Sequence, residues 1–278
     1  MSSSALTRMA GATVQVDPVV IRIGGTTIAI RTDSHEFRRL LLDRYAGFVA
    51  SSESHDVELE IELYEPADAA GSDEDLQLSL CGKEWLIRRG DFRARWNASS
   101  GRGLVRQPPS PFAIDSVLRI IHSLILAKRG GFLLHAASAI RFGRGFLFAG
   151  VSGAGKTTIA RLAPPDAALL SDEISYVIRR AEAYCAWGTP FAGELARAGE
   201  NVSAPIKAVF LLEKGTENRM EDISEAEAVR SLLRHVLFFA DDRALVNEVF
   251  HSICEFVNQV PVRRLIFVPD ERVWNIIS

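Results

Sequence analysis

The chain has 278 residues, of which 47% are hydrophobic and 24% are charged, a composition typical of a globular protein rather than a disordered or fibrous one. Its 32 Lys and Arg residues against 35 Asp and Glu residues leave a formal net charge of −3. No general positive field is therefore available to bind a nucleic-acid backbone, and we expect no nucleic-acid partner. The cysteines form no C-x-x-C pair, which favours a reducing compartment; they are Cys81, Cys185 and Cys254.

The apolar stretches of the sequence are short. Examples at 146–149 and 236–240 fall far below the roughly 20 residues that cross a bilayer. Residues 1–15 are small and polar and lack the apolar segment of a signal peptide. We therefore expect a flexible tail over 1–15 and a cytoplasmic protein without a membrane partner.

Residues 16–107 are predicted to form a β-rich domain with one helix. Two β-branched segments flank Gly24 and Gly25, which is the pattern of a hairpin. Apolar residues then recur at steps of three and four, which predicts a helix capped by Asp33 or Ser34.

The rest of this domain reads as short strands. Apolar and acidic residues alternate over 57–63, which predicts a half-buried strand with its carboxylates in solvent. A polar loop is expected at 66–75. Further strands are expected near 76–80, 84–88, 92–96 and 103–106.

Pro108-Pro109-Ser110-Pro111 marks the predicted domain boundary, because consecutive prolines disfavour both helix and ladder hydrogen bonds. The second domain is predicted over 112–278. Asp115 is expected to cap its first helix, which the glycines at 130–131 would end. Two apolar segments at 132–140 and 146–149 then predict a second hairpin.

A complete G-x-x-x-x-G-K-[ST] motif, the Walker A pattern, follows the second strand of that hairpin and precedes a helix. In this motif, backbone N–H groups surround phosphate oxygens, the lysine reaches the β and γ phosphates, and the hydroxyl binds Mg²⁺. A dinucleotide-binding G-x-G-x-x-G pattern does not fit these glycines. The residues predicted to bind ATP are Gly150, Val151, Ser152, Gly153, Ala154, Gly155, Lys156, Thr157 and Thr158.

An apolar strand over 167–170 leads into Asp172 and Glu173, only sixteen residues after Lys156. An acidic residue at the end of such a strand is typical of the second half of a phosphate-binding site, where it holds Mg²⁺. We therefore predict a metal site formed by Thr157 and Asp172, and expect the acidic strand to neighbour the strand before the motif. The alternative is a pair of solvated acids in a loop.

His135 lies in the middle of the first strand of the second hairpin. A turn centred near residue 144 would place it opposite residues 152 and 153, level with the glycine-rich motif. There it would hydrogen-bond an acid or a transferred phosphoryl group. The alternative is a histidine satisfied within the core.

From Phe132 to Val177 the sequence resembles the HPr serine kinase/phosphorylase family, and most closely its short relatives found beside genes for lasso peptides and similar products. The resemblance depends on the strand with His135, the hairpin, the 150–157 motif and the early acidic pair. The 188–194 segment also resembles the short relatives. The resemblance implies an α/β protein, with a β-rich N-terminal domain and a C-terminal P-loop kinase domain of the HPr kinase/phosphoenolpyruvate carboxykinase type.

The same resemblance implies the residue roles. In the resembled family, the histidine and the paired acids act in phosphoryl transfer. One acid is the base toward a hydroxyl and the other binds Mg²⁺. By position these are His135, Asp172 and Glu173, although the family usually has Asp at the last position. The Arg-Pro-Gly-Arg-Asn signature of the HPr kinases proper is absent after Glu194, which argues against HPr as the substrate.

The expected function is therefore an ATP- and Mg²⁺-dependent kinase that phosphorylates serine of a peptide or a small hydroxyl compound. Glu194 completes the metal or acceptor site, or else is a surface acid beside a glycine turn. The alternatives are an ATP-binding regulatory module and a phosphohydrolase. Homo-oligomers are usual in the resembled family, although no pattern here predicts one. The arginines considered for the transferred group are Arg161, Arg179, Arg197, Arg230 and Arg234.

Overall fold

A computed structural model of the chain describes residues 17–65 and 75–277. The predicted tail at 1–15 and nearly all of the predicted loop at 66–75 lie outside the described residues. The fold is mixed α/β, with two sheets and more strands than helices among the described residues. No helix within those ranges combines the length and the apolar character needed to cross a membrane.

The first sheet contains seven strands in the order β1-β2-β3-β7-β6-β5-β4. β3 pairs in parallel with both β2 and β7, and the other pairs are antiparallel. The Gly24-Gly25 hairpin and the alternating strand are both present as predicted. The strands are β1 (Val19–Ile23), β2 (Thr26–Thr32), β3 (Val57–Leu63), β4 (Gln77–Cys81), β5 (Glu84–Arg89), β6 (Phe92–Asn97) and β7 (Arg102–Gln107).

Helix α1 (His35–Arg44) packs against β1 and β2 of the first sheet. Ser34, rather than Asp33, caps it, since the Ser34 hydroxyl accepts a hydrogen bond from the N–H of Phe37 at 3.1 Å. The helix ends at Tyr45, which is buried, and a short 3₁₀ helix (Ala46–Phe48) follows.

Helix α2 (Pro111–Lys128) begins five residues earlier than predicted. Ser110 caps it, and Pro111 occupies the first helical position, where the missing N–H has no intrahelical partner to lose. The prediction that Asp115 caps this helix was therefore wrong. Its buried carboxylate instead accepts hydrogen bonds from the hydroxyl of Tyr45 and the guanidinium of Arg44, each at 2.5 Å, and so joins the end of α1 to α2.

Asp115→Ala is expected to lower the free energy of unfolding by about 3 kcal/mol, because it removes the partner of a partly buried arginine and of a buried hydroxyl. Urea unfolding measures the effect. Asp166→Ala is the matched control, since Asp166 is half exposed in its ion pair with Arg141 and should cost less than about 1 kcal/mol. Equal losses in both variants would contradict this account of the α1–α2 contact.

The second sheet follows the order β10-β8-β11-β12-β13-β16-β14, with β9 paired to both β8 and β13 and the short β15 paired to β8. Three further helices and a final 3₁₀ helix (Glu271–Asn275) accompany it. The strands are β8 (Gly131–Arg141), β9 (Arg144–Ala149), β10 (Ala168–Ser171), β11 (Ile174–Arg180), β12 (Ala183–Trp187), β13 (Ser203–Lys214), β14 (Arg219–Asp222), β15 (Val236–Leu237) and β16 (Val262–Phe267). The helices are α3 (Lys156–Arg161), α4 (Glu225–Leu233) and α5 (Arg243–Gln259).

The β8–β9 hairpin turns earlier than predicted. Its two-residue turn consists of Phe142 and Gly143, both at positive φ, which matches the twist of a tight hairpin. The ladder consequently ends with Ala136 opposite Ala149. The prediction that His135 lies opposite residues 152 and 153 was therefore wrong, because the register puts His135 level with Gly150.

Strand β10 does not lie beside β9. Ala139 of β8 pairs with Leu169 of β10 and also with Phe146 of β9, so β8 lies between the two strands. The prediction that the acidic strand neighbours the strand before the motif was wrong. The short helix α3 packs across β8 and β9 and carries the chain over the hairpin to the far side of β8.

Two groups of buried apolar side chains hold the fold together. The larger group includes residues of both sheets and of helices α1, α2, α4 and α5. The smaller group lies beneath α3 and contains Phe148, Phe210, Phe267 and Trp274. The indole N–H of Trp274 donates to the carbonyl of Ile159 at 3.1 Å, which anchors α3 to this core.

Candidate functional site

The glycine-rich loop, residues 150–155, joins the buried strand β9 to helix α3. Gly155 immediately precedes the helix with φ = 111°, a conformation that side chains disfavour. A Cβ atom there would lie 2.5 Å from the ring of Phe267. Only glycine therefore fits between the loop and the core under α3.

Lys156 begins α3, and its side chain turns back into the glycine-rich loop. Its amino group donates to the carbonyl of Gly150 at 2.8 Å and to that of Val151 at 3.3 Å. Burial lowers the pKa of Lys156, while Glu173 and Glu194 oppose this shift. The amino group thus lies within the curve of the loop, where the charges of two carboxylates act on it.

Thr157 contacts an acid from a distant part of the chain. Its hydroxyl donates to Oε2 of Glu194 at 3.0 Å. Glu194 lies in the loop between β12 and β13, 37 residues further along the chain. The structure therefore brings the sequence-predicted Glu194 to the glycine-rich loop.

Asp172 holds the Glu194 loop in place. It is buried, and its two carboxylate oxygens accept hydrogen bonds from the N–H groups of Gly193 and Leu195, both at 2.8 Å. A Cβ atom at Gly193 would lie 2.9 Å from an Asp172 oxygen and 2.8 Å from Cβ of Glu173. Glycine at 193 therefore permits the loop to approach Asp172 closely. The two hydrogen bonds come from the residues before and after Glu194, and they hold Glu194 in position.

Glu173 has a different environment from its neighbour. Its carboxylate accepts only a long contact of 3.4 Å from the guanidinium of Arg119 on α2. Burial raises the pKa of Glu173, and the charge of Asp172 adds to that rise, whereas Arg119 and Lys156 oppose it. Backbone N–H groups of the described residues bond to the carboxylate of Asp172 but not to that of Glu173. The raised pKa of Glu173 means that it binds a proton more readily than an exposed glutamate does.

His135 lies within β8 and is partly exposed, and its backbone N–H donates to the carbonyl of His235 at 2.7 Å. Burial lowers the pKa of His135, and the nearby charges of Lys156, His235 and Arg119 lower it further. The imidazole is therefore favoured in its neutral form at the edge of the site.

These side chains surround one cavity of about 320 Å³, which we call the loop cavity. The sequence-predicted Gly150, Val151 and Ala154 are not in its wall: the first two supply carbonyls to Lys156, and Ala154 packs in the core. The wall is formed by His135, Ser152, Gly153, Gly155, Lys156, Thr157, Thr158, Asp172, Glu173, Gly193, Glu194 and Lys214.

Two basic residues at the site were not predicted from the sequence. Lys214 ends β13, which pairs in parallel with β9, and the ends of parallel strands meet at one edge of a sheet. The only sequence feature that marks Arg119 is its charge within the largely apolar stretch 117–127. None of the five arginines considered from the sequence lines the loop cavity; these are Arg161, Arg179, Arg197, Arg230 and Arg234.

Within residues 17–65 and 75–277, no group of three or more His, Cys, Asp or Glu side chains is arranged to hold a metal ion. Thr157 and Glu194 instead offer one hydroxyl and one carboxylate close together.

The fold and site together define a mixed α/β protein of two sheets, with a glycine-rich strand–loop–helix segment at its candidate site. Residues 111–278 match the family model described as "SynChlorMet cassette protein ScmC". The chain belongs to this family. The matched region begins with α2 and contains every residue of the loop cavity. A comparison with curated proteins finds no match.

Proposed function

We propose that this protein is an ATP- and Mg²⁺-dependent kinase of the HPr kinase-related type, with a P-loop kinase domain, that transfers the γ-phosphate to a hydroxyl. One observation carries the proposal. Lys156, Thr157, Glu173 and Glu194 come from three separate segments and line one cavity with the glycine-rich loop. This combination supplies phosphate-binding, metal-binding and proton-accepting groups at one place.

The triphosphate is proposed to bind at the glycine-rich loop. The backbone N–H groups of the loop and the start of α3 suit phosphate oxygens. The amino group of Lys156, which donates to two loop carbonyls, would instead donate to the β and γ phosphates. Lys214, which also lines the loop cavity, adds a second positive charge. These groups neutralise and position the reacting phosphate, which supplies most of the acceleration in phosphoryl transfer.

Mg²⁺ fits the residues that are present. This ion is commonly held by one or two protein oxygens together with phosphates and water, so a cluster of three protein ligands is not required. Thr157 and Glu194 are the best-placed protein ligands, because both oxygens of Asp172 already accept backbone hydrogen bonds. When bound, the ion would neutralise charge on the β and γ phosphates. Asp172 then acts by positioning Glu194.

Glu173 is the proposed general base. The acceptor hydroxyl oxygen forms a bond to the γ-phosphorus, the bond to the β–γ bridging oxygen breaks, and ADP leaves. The hydroxyl proton passes to Glu173, whose raised pKa suits it to accept a proton. Neutral His135 lines the loop cavity together with Glu173 and is proposed to hydrogen-bond the transferred group. The guanidinium of Arg119 contacts Glu173.

The test is incubation with ATP, Mg²⁺ and serine-containing peptides or small hydroxyl compounds, followed by mass spectrometry of the acceptor and assay of free phosphate. A phosphorylated acceptor supports the kinase. Free phosphate alone indicates a phosphohydrolase, and nucleotide binding without turnover indicates a regulatory module. Failure to bind ATP or ADP in the presence of Mg²⁺ would contradict the proposed function altogether.

Glu194→Gln tests the assignment of the metal ligand. The change keeps the shape of the side chain but removes its charge, so we expect the Mg²⁺ concentration for half-maximal ATP turnover to rise about tenfold. A titration of Mg²⁺ at fixed ATP measures it. Glu200→Gln, an exposed acid later in the same loop, is the control and should leave the titration unchanged.

A further inference from the structure

A second cavity of about 220 Å³ adjoins the loop cavity. His135 and Glu173 line both cavities, so the proposed base stands between them. The second cavity lies on the side of Glu173 that faces α2 and the first sheet. Its wall consists of Leu76, Arg89, Ser116, Arg119, Ile120, His135, Glu173, Ile174, Leu237 and Phe239.

Both sheets contribute to this wall. Arg89 belongs to β5 and Leu76 directly precedes β4, whereas Ile174 and Leu237 belong to strands of the second sheet. Helix α2 contributes Ser116, Arg119 and Ile120 between them. Without the first sheet the cavity would lose one side, which gives the β-rich N-terminal part a direct role at the site.

The cavity is suited to an apolar group. Five of its ten lining residues are aliphatic or aromatic, and its charged members already have partners. Arg89 makes two hydrogen bonds to Asp91, at 2.6 and 2.7 Å, and Arg119 contacts Glu173 at 3.4 Å. Carboxylates therefore already balance both guanidinium charges of the wall, which leaves an incoming carboxylate less to gain in return for its lost hydration.

One hydrogen-bond donor remains beside this apolar surface. The Nε atom of Arg119 is buried and has no partner among the described residues. A peptide carbonyl would satisfy this donor without adding charge. The volume of about 220 Å³ is below the usual range for drug-sized ligands, so a single side chain fits while the rest of a peptide stays outside.

We infer that the second cavity, here called the acceptor cavity, binds an apolar side chain next to the hydroxyl residue of a peptide that the protein phosphorylates. This inference rests on the proposed kinase function and adds the class of acceptor to it. Glu173, shared by the two cavities, then lies where the peptide hydroxyl meets the γ-phosphate.

The test compares two matched peptide amides, acetyl-Leu-Ser-Leu and acetyl-Asp-Ser-Asp. Their binding to the full chain is measured by calorimetry with ADP and Mg²⁺ present, and their phosphorylation by mass spectrometry with ATP. We expect the leucine peptide to bind about tenfold to a hundredfold more tightly, as burial of one apolar side chain predicts. It should also be the better substrate.

Two variants locate the effect. Phe239→Asp introduces a charge into the cavity wall and should abolish the preference for the leucine peptide. Ser116→Trp fills the cavity without a charge and should weaken binding of that peptide. Because the two variants test the cavity independently, a folding defect in one of them leaves the other as a test. Phe250→Asp, an exposed position on α5, is the control and should change neither peptide. All three variants should retain the parent affinity for ADP.

The outcomes separate the two ideas. If ADP binds but both peptides bind equally, or neither binds, the acceptor cavity is contradicted while the proposed nucleotide site stands. An unchanged preference in both Phe239→Asp and Ser116→Trp contradicts it as well. If the parent chain binds no ADP, the proposed function fails and the inference fails with it.

Discussion

Lys156→Met is expected to weaken ATP binding by about tenfold to a hundredfold, which corresponds to the about 1.5–3 kcal/mol of a hydrogen bond to a charged group. Methionine keeps the length and apolar stem of the side chain but removes the ammonium group that lies in the glycine-rich loop. Calorimetric titration with ATP and Mg²⁺ measures the loss. Transfer to an acceptor should also fall, because Lys156 is placed to neutralise charge on the phosphates.

Lys207→Met is the matched control, because Lys207 is an exposed lysine of β13 that does not line the loop cavity. It should leave ATP affinity unchanged. In Lys156→Met, two loop carbonyls lose their hydrogen-bond donor. Thermal unfolding of both variants shows whether this loss destabilises the fold. A Lys156→Met protein that binds ATP as tightly as its parent would contradict the assignment of the phosphate site.

Glu173→Gln is expected to slow phosphoryl transfer by about 10²- to 10⁴-fold, the usual contribution of a general base, while ATP affinity changes little. Glutamine occupies the same space but does not accept the hydroxyl proton. Single-turnover transfer to an identified acceptor measures the rate, and calorimetry measures ATP binding. Glu182→Gln, an exposed acid in the turn between β11 and β12, is the control.

The pH dependence of transfer provides a second readout for Glu173. Only the deprotonated carboxylate acts as base, and burial raises its pKa above the ordinary value of 4.5. The rate should therefore fall as the pH drops through that raised pKa, which places the acid limb above pH 4.5. Glu173→Gln should abolish this limb. If the limb persists in the variant, another group is the base.

The contrast between Asp172 and Glu173 was not visible in the sequence, where they are simply adjacent acids. The structure separates them because Asp172 accepts two backbone hydrogen bonds from the Glu194 loop, whereas Glu173 lies between two cavities. The sequence prediction paired Asp172 with Thr157 at the metal. In the structure it is Glu194 that contacts Thr157, and this favours Glu194 for that role.

Local patterns were sufficient for much of the fold. The Gly24-Gly25 hairpin, the alternating strand at 57–63 and the strand–loop–helix segment around Lys156 depend on turn geometry and side-chain periodicity within a few residues. The start of α2 shows where such reasoning fails. Asp115 has the sequence position of a helix cap, but its carboxylate accepts a hydrogen bond from Tyr45, which is 70 residues away in the chain.

The sequence by itself determined the Gly24-Gly25 hairpin, the alternating strand at 57–63, the glycine-rich motif and its adjacent acids, because these follow from interactions between near neighbours in the chain. Only the tertiary structure decided that β8 separates β9 from β10 and that Glu194 reaches Thr157. It also brought Arg119 to Glu173 and closed the second cavity with residues of both sheets. These arrangements depend on which buried surfaces pack together across long separations in the chain. The periodicity of side chains within one segment does not contain that information.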